Sequence, residues 1–527
     1  MPFAKLKLPD TYWTQLEIND EDLEFLYNYL LEIETPQTSK ELASVLIQGR
    51  IQKERELLES RQSESGGFYI PSASYSIGEK IIFPQLESAE GTVTNIRPGN
   101  NPDLPAFNVI EIDFGAGGIR NFAADLEEHV LNNPAEGDLA DPNLDPNFVL
   151  ENFDTCIVKC LTDMFQTQAD LVQIAGAWFP KSLLVDVNIG YLNLAEAVLE
   201  MTEGGPLTTA EIVEQIELPT DANPKLTEFS MNYALQEDQR FDEVGPSGKT
   251  LWFLRRLEPE SVQETPIFLR YQAPEVDKTG IEDEIDALNA LVYDELEPDG
   301  DLPTKADEIE VSLIYPHWRS GTLPLSKSIA RLFPTAYESP RVRFTFVDFE
   351  TGKQYSGWVV RPEKYVYGLQ EWYAEKNLLP GSLFRIKKGA VPGEVIIQAA
   401  NKKPTKEWVR TILVGADNGF VFTMLKQLIA SDFDDRMVTF IPDSKALDKI
   451  WELSNRQRGT LENNVMNVMR ELVKLSPQGH VHAQELYAAV NIVRRCPPGM
   501  IINVLANQPN VIHMGDLHFR IREQDEE

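Results

Sequence analysis

Between Val311 and Arg410 a strongly acidic chain turns basic. The segment holds 16 Lys and Arg against 8 Asp and Glu, in a 527-residue chain of net charge −35. A stretch that opposes the charge of its own chain reads as a module with a surface of its own, and a local basic patch is the expected footprint of a phosphate-binding face. The alternative is a barrel whose charges are only solvated. Val342, Phe344 and Phe346 alternate with polar residues, Asp348 to Gly352 supplies turn chemistry, and Tyr355, Trp358, Val359 and Val360 resume an aromatic and β-branched run. This pattern predicts a hairpin. A short helix over Leu369–Asn377 and a turn into a further strand over Leu379–Ile386 follow.

The spaced phrases Gly321–Pro334, Val347–Gly352, Gly357–Val360, Gly368–Tyr373 and Leu379–Phe384 resemble the B3 DNA-binding domain of plant transcription factors and of some restriction-endonuclease specificity domains. The resemblance covers Val311 to Lys388. It implies a pseudobarrel whose two loop-bearing arms grip the major groove of double-stranded DNA. Carried over by position, the first arm is His317, Trp318, Arg319 and Ser320, and the second is Arg361, Lys364 and Tyr365. Arg and Lys suit guanine edges and phosphates, and Trp318 suits stacking. Pro362 and Glu363 depart from the plant pattern by placing an acid in the second arm.

The charge is uneven elsewhere. The first 310 residues carry 20 basic against 60 acidic residues, and Thr411–Glu527 carries 12 against 15. Nucleic acid would avoid the first part, which suits a basic protein surface instead. The length predicts three to five domains. No apolar run reaches membrane-spanning length, and the start lacks the long apolar core of a secretory signal. Three cysteines, Cys156, Cys160 and Cys496, suit a reducing cytoplasm, with Cys156 and Cys160 expected to be buried.

The expected fold class is multidomain α+β, in eight segments: 1–70 helical and helix-turn-helix-like, 71–130 a small β-barrel, 131–190 a linker and helices, 191–260 a winged helix, 261–310 an acidic linker helix, 311–400 the B3-like domain, 401–460 an α/β connector, and 461–527 a C-terminal winged helix. In the first segment Asn19 reads as an N-cap. The short strands of Gly78–Pro84, Gly91–Ile96 and Asn108–Phe114 predict an SH3-like barrel. They resemble the RNA-polymerase-interacting barrel of the CarD-type regulators, which implies RNA polymerase as partner. Gly190–Leu257, with the capping box Thr208-Thr-Ala-Glu211 and a Gly-rich wing, resembles the winged helix of the bacterial RNA polymerase delta subunit. The tail repeats this module: Pro206–Ile212 matches Gly479–Leu486, and Leu251–Arg255 matches Leu517–Ile521. Arg494, Arg495 and Arg520 are the expected phosphate contacts of the second copy.

Chemistry-bearing motifs are thin. Phosphate-binding loops, nucleophile elbows and zincin motifs are missing from the sequence. Asp348, Glu350 and Lys353 match the acid-acid-lysine pattern of restriction nucleases, but they fall in the predicted tight turn. The histidines of the tail lack the paired spacing of a zinc site. No enzyme activity, cofactor or metal is predicted. Two functional classes remain: a DNA-binding transcription regulator gripping duplex DNA through the basic module, or an acidic scaffold that binds proteins only.

Overall fold

A computed structural model describes Leu8 and residues 11–64, 69–83, 86, 89–102, 104–132, 142–218, 222–272, 280–297, 307–416, 419–456 and 461–522. Residues 133–141 of the expected linker and 298–301 of the expected boundary before the basic module lie outside these. The chain is mixed α+β and divides into two compact units, Met1–Asp186 with Thr220–Ser230, and Val187–Pro219 with Met231–Glu527. No helix among the described residues is long and apolar enough to cross a membrane.

The first unit opens with α1 (Asp20–Ile33), β1 (Gln37–Thr38) and α2 (Ser39–Glu64). Asn19 caps α1 through a reciprocal box with Asp22, each side chain accepting the other's backbone N–H at 3.0 Å. An antiparallel four-stranded sheet follows, β2 (Lys80–Phe83), β3 (Ala89–Pro98), β4 (Asn108–Asp113) and β5 (Ile119–Ala124), in sequential order. Its buried face is Ile81, Phe83, Val93, Ile110 and Ile112, as period-2 patterning requires. The chain then returns to helix in α3 (Pro146–Phe165) and closes on the hairpin β6 (Leu171–Ile174) and β7 (Ala177–Pro180). β7 pairs with both β6 and β1. Residues 146–180, expected as helices after a linker, are one helix and a hairpin that complete one layer with α1 and α2. Cys156 on α3 is exposed rather than buried, and Cys160 is half-buried.

The same chain path occurs twice more along the chain. α4 (Ile189–Met201), β8 (Leu207–Thr208), α5 (Thr209–Ile216) and α6 (Pro224–Glu237) lead to the hairpin β9 (Phe241–Glu243) and β10 (Leu251–Leu254), with strand order β8-β10-β9. After α7 (Glu260–Gln263) and α8 (Glu282–Val292) comes a seven-stranded sheet. Its elements are β11 (Glu308–Ser312), α9 (Tyr315–Ser320), β12 (Thr322–Pro324), α10 (Lys327–Ala330), β13 (Arg341–Asp348), β14 (Gln354–Val360), β15 (Tyr365–Tyr367), α11 (Gln370–Glu375), β16 (Leu383–Lys388) and β17 (Glu394–Ala399). The strand order is β11-β16-β17-β13-β14-β15-β12, with only β13/β17 parallel, and the sheet curls over a core that includes Phe344, Phe346, Trp372 and Phe384. A long two-stranded ribbon, β18 (Asn401–Val414) and β19 (Phe420–Ser431), precedes α12 (Ser444–Arg456). The last copy is α13 (Leu461–Val473), β20 (His480–His482), α14 (Ala483–Val493), α15 (Pro498–Asn507), β21 (Val511–Gly515) and β22 (His518–Ile521), with strand order β20-β22-β21.

The three copies share chemistry as well as path. The second helix begins after Thr38, Thr208 or His482, and Glu41, Glu211 or Glu485 stands three residues on. In the first two copies the Thr and Glu form a reciprocal box, the Glu accepting the Thr backbone N–H at 2.7 Å. The next residue carries a hydroxyl that accepts from a Trp on the last strand: Trp178 Nε1 donates to Ser39 Oγ at 2.9 Å, and Trp252 Nε1 to Thr209 Oγ1 at 3.1 Å and Asn232 Oδ1 at 2.9 Å. The third helix supplies the other polar partner, Thr162 or Asn232. The third copy replaces the hydroxyl by Ala483 and the indole by Phe519, which removes donor and acceptor together and leaves nothing unsatisfied.

His482 caps α14 differently, its Nδ1 accepting from Gln484 N–H at 3.1 Å. A neutral ring is needed for that, and burial, with Arg436 and His518 nearby, holds its pKa down at about 4. A base whose pKa is depressed by folding contributes stability that is present above its unfolded value and lost as the pH falls through the folded one. The chain is therefore expected to lose stability between pH 6.5 and about 4, and His482→Thr, restoring the cap of the other copies, to flatten that loss. Thermal melts of both proteins across this range, read by circular dichroism, check it.

Candidate functional site

The residues assigned to DNA arms fall at two different places. In the pair of β12 and β15, Thr322 faces Tyr367 and Pro324 faces Tyr365. Arg319 precedes the first end of β12, whereas Arg361 and Lys364 precede β15 and meet the other end, where Leu325 N–H donates to the Lys364 carbonyl at 2.9 Å. The two loops flank the strand pair from opposite ends.

Each loop is also covered. His317 is fully buried, its Nδ1 2.8 Å from Thr322 Oγ1 and its Nε2 3.1 Å from Glu295 Oε2. Trp318 is half-buried and donates to the Leu378 carbonyl at 2.8 Å. Arg319 grips Asp448 of α12 with Nε at 3.1 Å and Nη2 at 2.7 Å, over the ring of Phe268. The Ser320 hydroxyl is buried. In the second loop Arg361 donates to the Ser339 carbonyl at 2.6 Å, and Tyr365 is buried with its hydroxyl on the Ser261 carbonyl at 2.6 Å. His317 and Tyr365 therefore cannot meet a base edge, because a buried side chain has no access to one. Lys364 alone of the seven stands exposed, on left-handed backbone at φ 54°.

Arg495 departs furthest from its expected role. Only 1% of its side chain is exposed, and its guanidinium forks onto Asp294 (2.7 and 2.9 Å), Glu295 (2.8 Å) and Asn491 (2.9 Å). Tyr487 donates to the same Asp294 carboxylate at 2.6 Å. Burial alone would raise the Glu295 carboxyl, yet Arg495 and His317 beside it hold it well below the usual carboxylate range. The network ties the segment after α8 to α9 and α14. It is structural and offers nothing to a phosphate. Arg494 and Arg520 are half-buried.

Other cations of the basic segment turn inward too. Arg341 donates to Asp242 of β9 at 2.6 Å, Arg410 to Glu485 at 2.8 Å, and Arg343 stacks on Phe253 and Trp358 while donating to the Gly205 carbonyl at 2.9 Å. The nuclease-like triad is split. Asp348 is buried in the turn, and although burial would raise its pKa, donors from Trp372 and Thr351 hold it down at about 2. Lys353 instead reaches Glu371 and Glu375 on α11. Among the described residues no cluster of three His, Cys, Asp or Glu could hold a metal ion.

What remains open lies around the ribbon. A cleft of about 550 Å³ is lined by Trp318, Tyr373, Leu378, Pro404, Leu428 and Phe440. Trp408 and Leu428 on the ribbon are 61% and 65% exposed. The connector reading of 401–460 missed this surface; Trp408 beside Lys406 on one strand, and Met424, Lys426 and Leu428 at every second position of the other, were the available signal. Comparison with protein-family models, curated proteins and solved structures finds no match to this chain.

Replacing Arg495 by Met leaves Asp294 and Glu295 buried without their counter-charge, so the second unit is expected to lose about 3–5 kcal/mol. Urea unfolding followed by tryptophan emission measures this.

Proposed function

We propose that this chain is a non-enzymatic, multi-module scaffold that binds proteins. One observation carries the reading. The three repeated layers have the helix, strand, helix, helix, hairpin path of a winged helix, a fold that reads DNA by laying its third helix in the major groove. Here that helix has no positive face in any copy. α3 has Lys159 against Glu151, Asp154 and Asp163; α6 has Lys225 against Glu228 and Glu237; α15 carries no charge and is largely buried. The net-acidic α3 and α6 are repelled by phosphate, and the uncharged, buried α15 offers it no counter-charge. The four-stranded sheet of the first unit is read as a small SH3-like barrel of the kind that contacts RNA polymerase, and the acidic 1–310 segment suits a basic partner surface. RNA polymerase is accordingly the proposed partner class, and the cytoplasm the proposed location.

A second reading rests on a separate observation. At the β12–β15 end, Lys327 and Lys364 are exposed and Arg331 and Arg361 half-exposed, within a curled sheet read as B3-like. This reduced patch suits duplex DNA through backbone phosphate rather than base edges.

The scaffold reading predicts that the full chain does not retard duplex DNA in about 150 mM salt and that its association with purified RNA polymerase survives nuclease. Retardation whose salt slope falls by about 2 on changing Lys327 and Lys364 to Ala would establish the second reading in its place.

A further inference from the structure

The ribbon of β18 and β19 projects an apolar stripe that the described residues leave uncovered. Register pairs Lys406 with Leu428, Trp408 with Lys426 and Arg410 with Met424. Residues two apart share a face, so Leu428, Trp408 and Met424 line one side at 65%, 61% and 41% exposure. Leu428 also lines the 550 Å³ cleft, so the stripe runs on into a concave apolar floor with Pro404 and Phe440. Contiguous exposed apolar surface of this kind marks an interaction site.

We infer that this face docks an acidic amphipathic segment of a partner protein. The inference rests on the scaffold reading and names the partner chemistry. Lys403, Lys406 and Lys426 are exposed around the stripe, and the Lys426 ammonium sits 5.3 Å from the centre of the Trp408 ring. The nearest ribbon acid, Glu407, points to the opposite face and is held by Thr405 and Lys402. A rim of lysines around apolar residues selects a segment with Leu-type residues on one side and carboxylates beside them. Nucleic acid is the poorer fit, because single strands bind through stacked aromatic platforms and this stripe is mostly aliphatic, its one indole already covered by an ammonium.

The test uses the full chain and a fluorescein-labelled peptide of roughly 18 residues with Leu at i, i+3, i+4 and i+7 and Glu elsewhere. A second peptide replaces Glu by Lys. Fluorescence anisotropy is expected to show salt-sensitive binding of the Glu peptide only, weakened about tenfold by Lys406→Glu with Lys426→Glu, and lost in Met424→Ser with Leu428→Ser. The charge-reversed variant is expected to take up the Lys peptide. All four substitutions are at exposed positions, and unchanged melting curves confirm that the variants fold. Undiminished Glu-peptide binding in both variants would overturn the inference while leaving the scaffold reading intact. A DNA complex or a dimer in sedimentation that Leu428→Ser abolishes, with no peptide bound, would assign the face to another occupant and overturn it as well. Loss of the nuclease-resistant polymerase association does not bear on the peptide result, so the two readings fail separately.

Discussion

The second unit depends on one guanidinium. Arg495 lies out of water between two consecutive carboxylates, Asp294 and Glu295, and its planar fork satisfies both only when α14, the segment after α8, and α9 are all in register. Burying three charges without such partners is costly, so the arrangement is close to all-or-none. Asn491 and Tyr487 accept and donate at its edges, and Gly499 N–H reaches Glu297 at 3.0 Å, extending the same tie to the start of α15. The position of the seven-stranded sheet against the last repeated layer follows from that geometry, with a core around Tyr315, Trp451 and Tyr487 filling in behind it.

The same logic explains why a basic segment sits in an acidic chain. Net charge counts side chains, but a surface is made only of those that reach it. Arg319, Arg341 and Arg410 each meet an acid from another part of the unit, Asp448, Asp242 and Glu485. The local excess of arginine is matched by carboxylates far away in sequence, and much of it serves packing between modules. The exposed lysines of the segment stand instead on the ribbon (Lys403 and Lys406), beside β12 and β15 (Lys327 and Lys364), at the end of β16 (Lys387 and Lys388) and in the β13–β14 turn (Lys353).

What could be read from the sequence was local. The hairpin of β13 and β14 was legible because Val342, Phe344 and Phe346 alternate and Asp348 to Gly352 has turn chemistry; its register, Val342 facing Val359, follows from that turn. The second and third repeats were legible because each is continuous. The first was not, since the four-stranded sheet interrupts it between α2 and α3; the box at Thr38 and Glu41 and the indole at Trp178, matching Thr208, Glu211 and Trp252, were the signals that could have found it. The DNA arms were carried over by position from the B3 resemblance, and a position in a motif does not say which acid a given arginine will meet. His317 and Tyr365 show this most plainly, being among the least exposed residues of the unit.

The interrupted first layer has a consequence for how the chain assembles. Ser39 and Thr162, which touch through their hydroxyls, are 123 residues apart. Bringing them together closes a long loop, whose entropy rises with the logarithm of its length. If the sheet between them is already folded, that loop behaves as a much shorter one, because the folded insert holds most of its residues in place. Helix pairing in this layer then costs less entropy once a neighbour with which it shares no layer has formed.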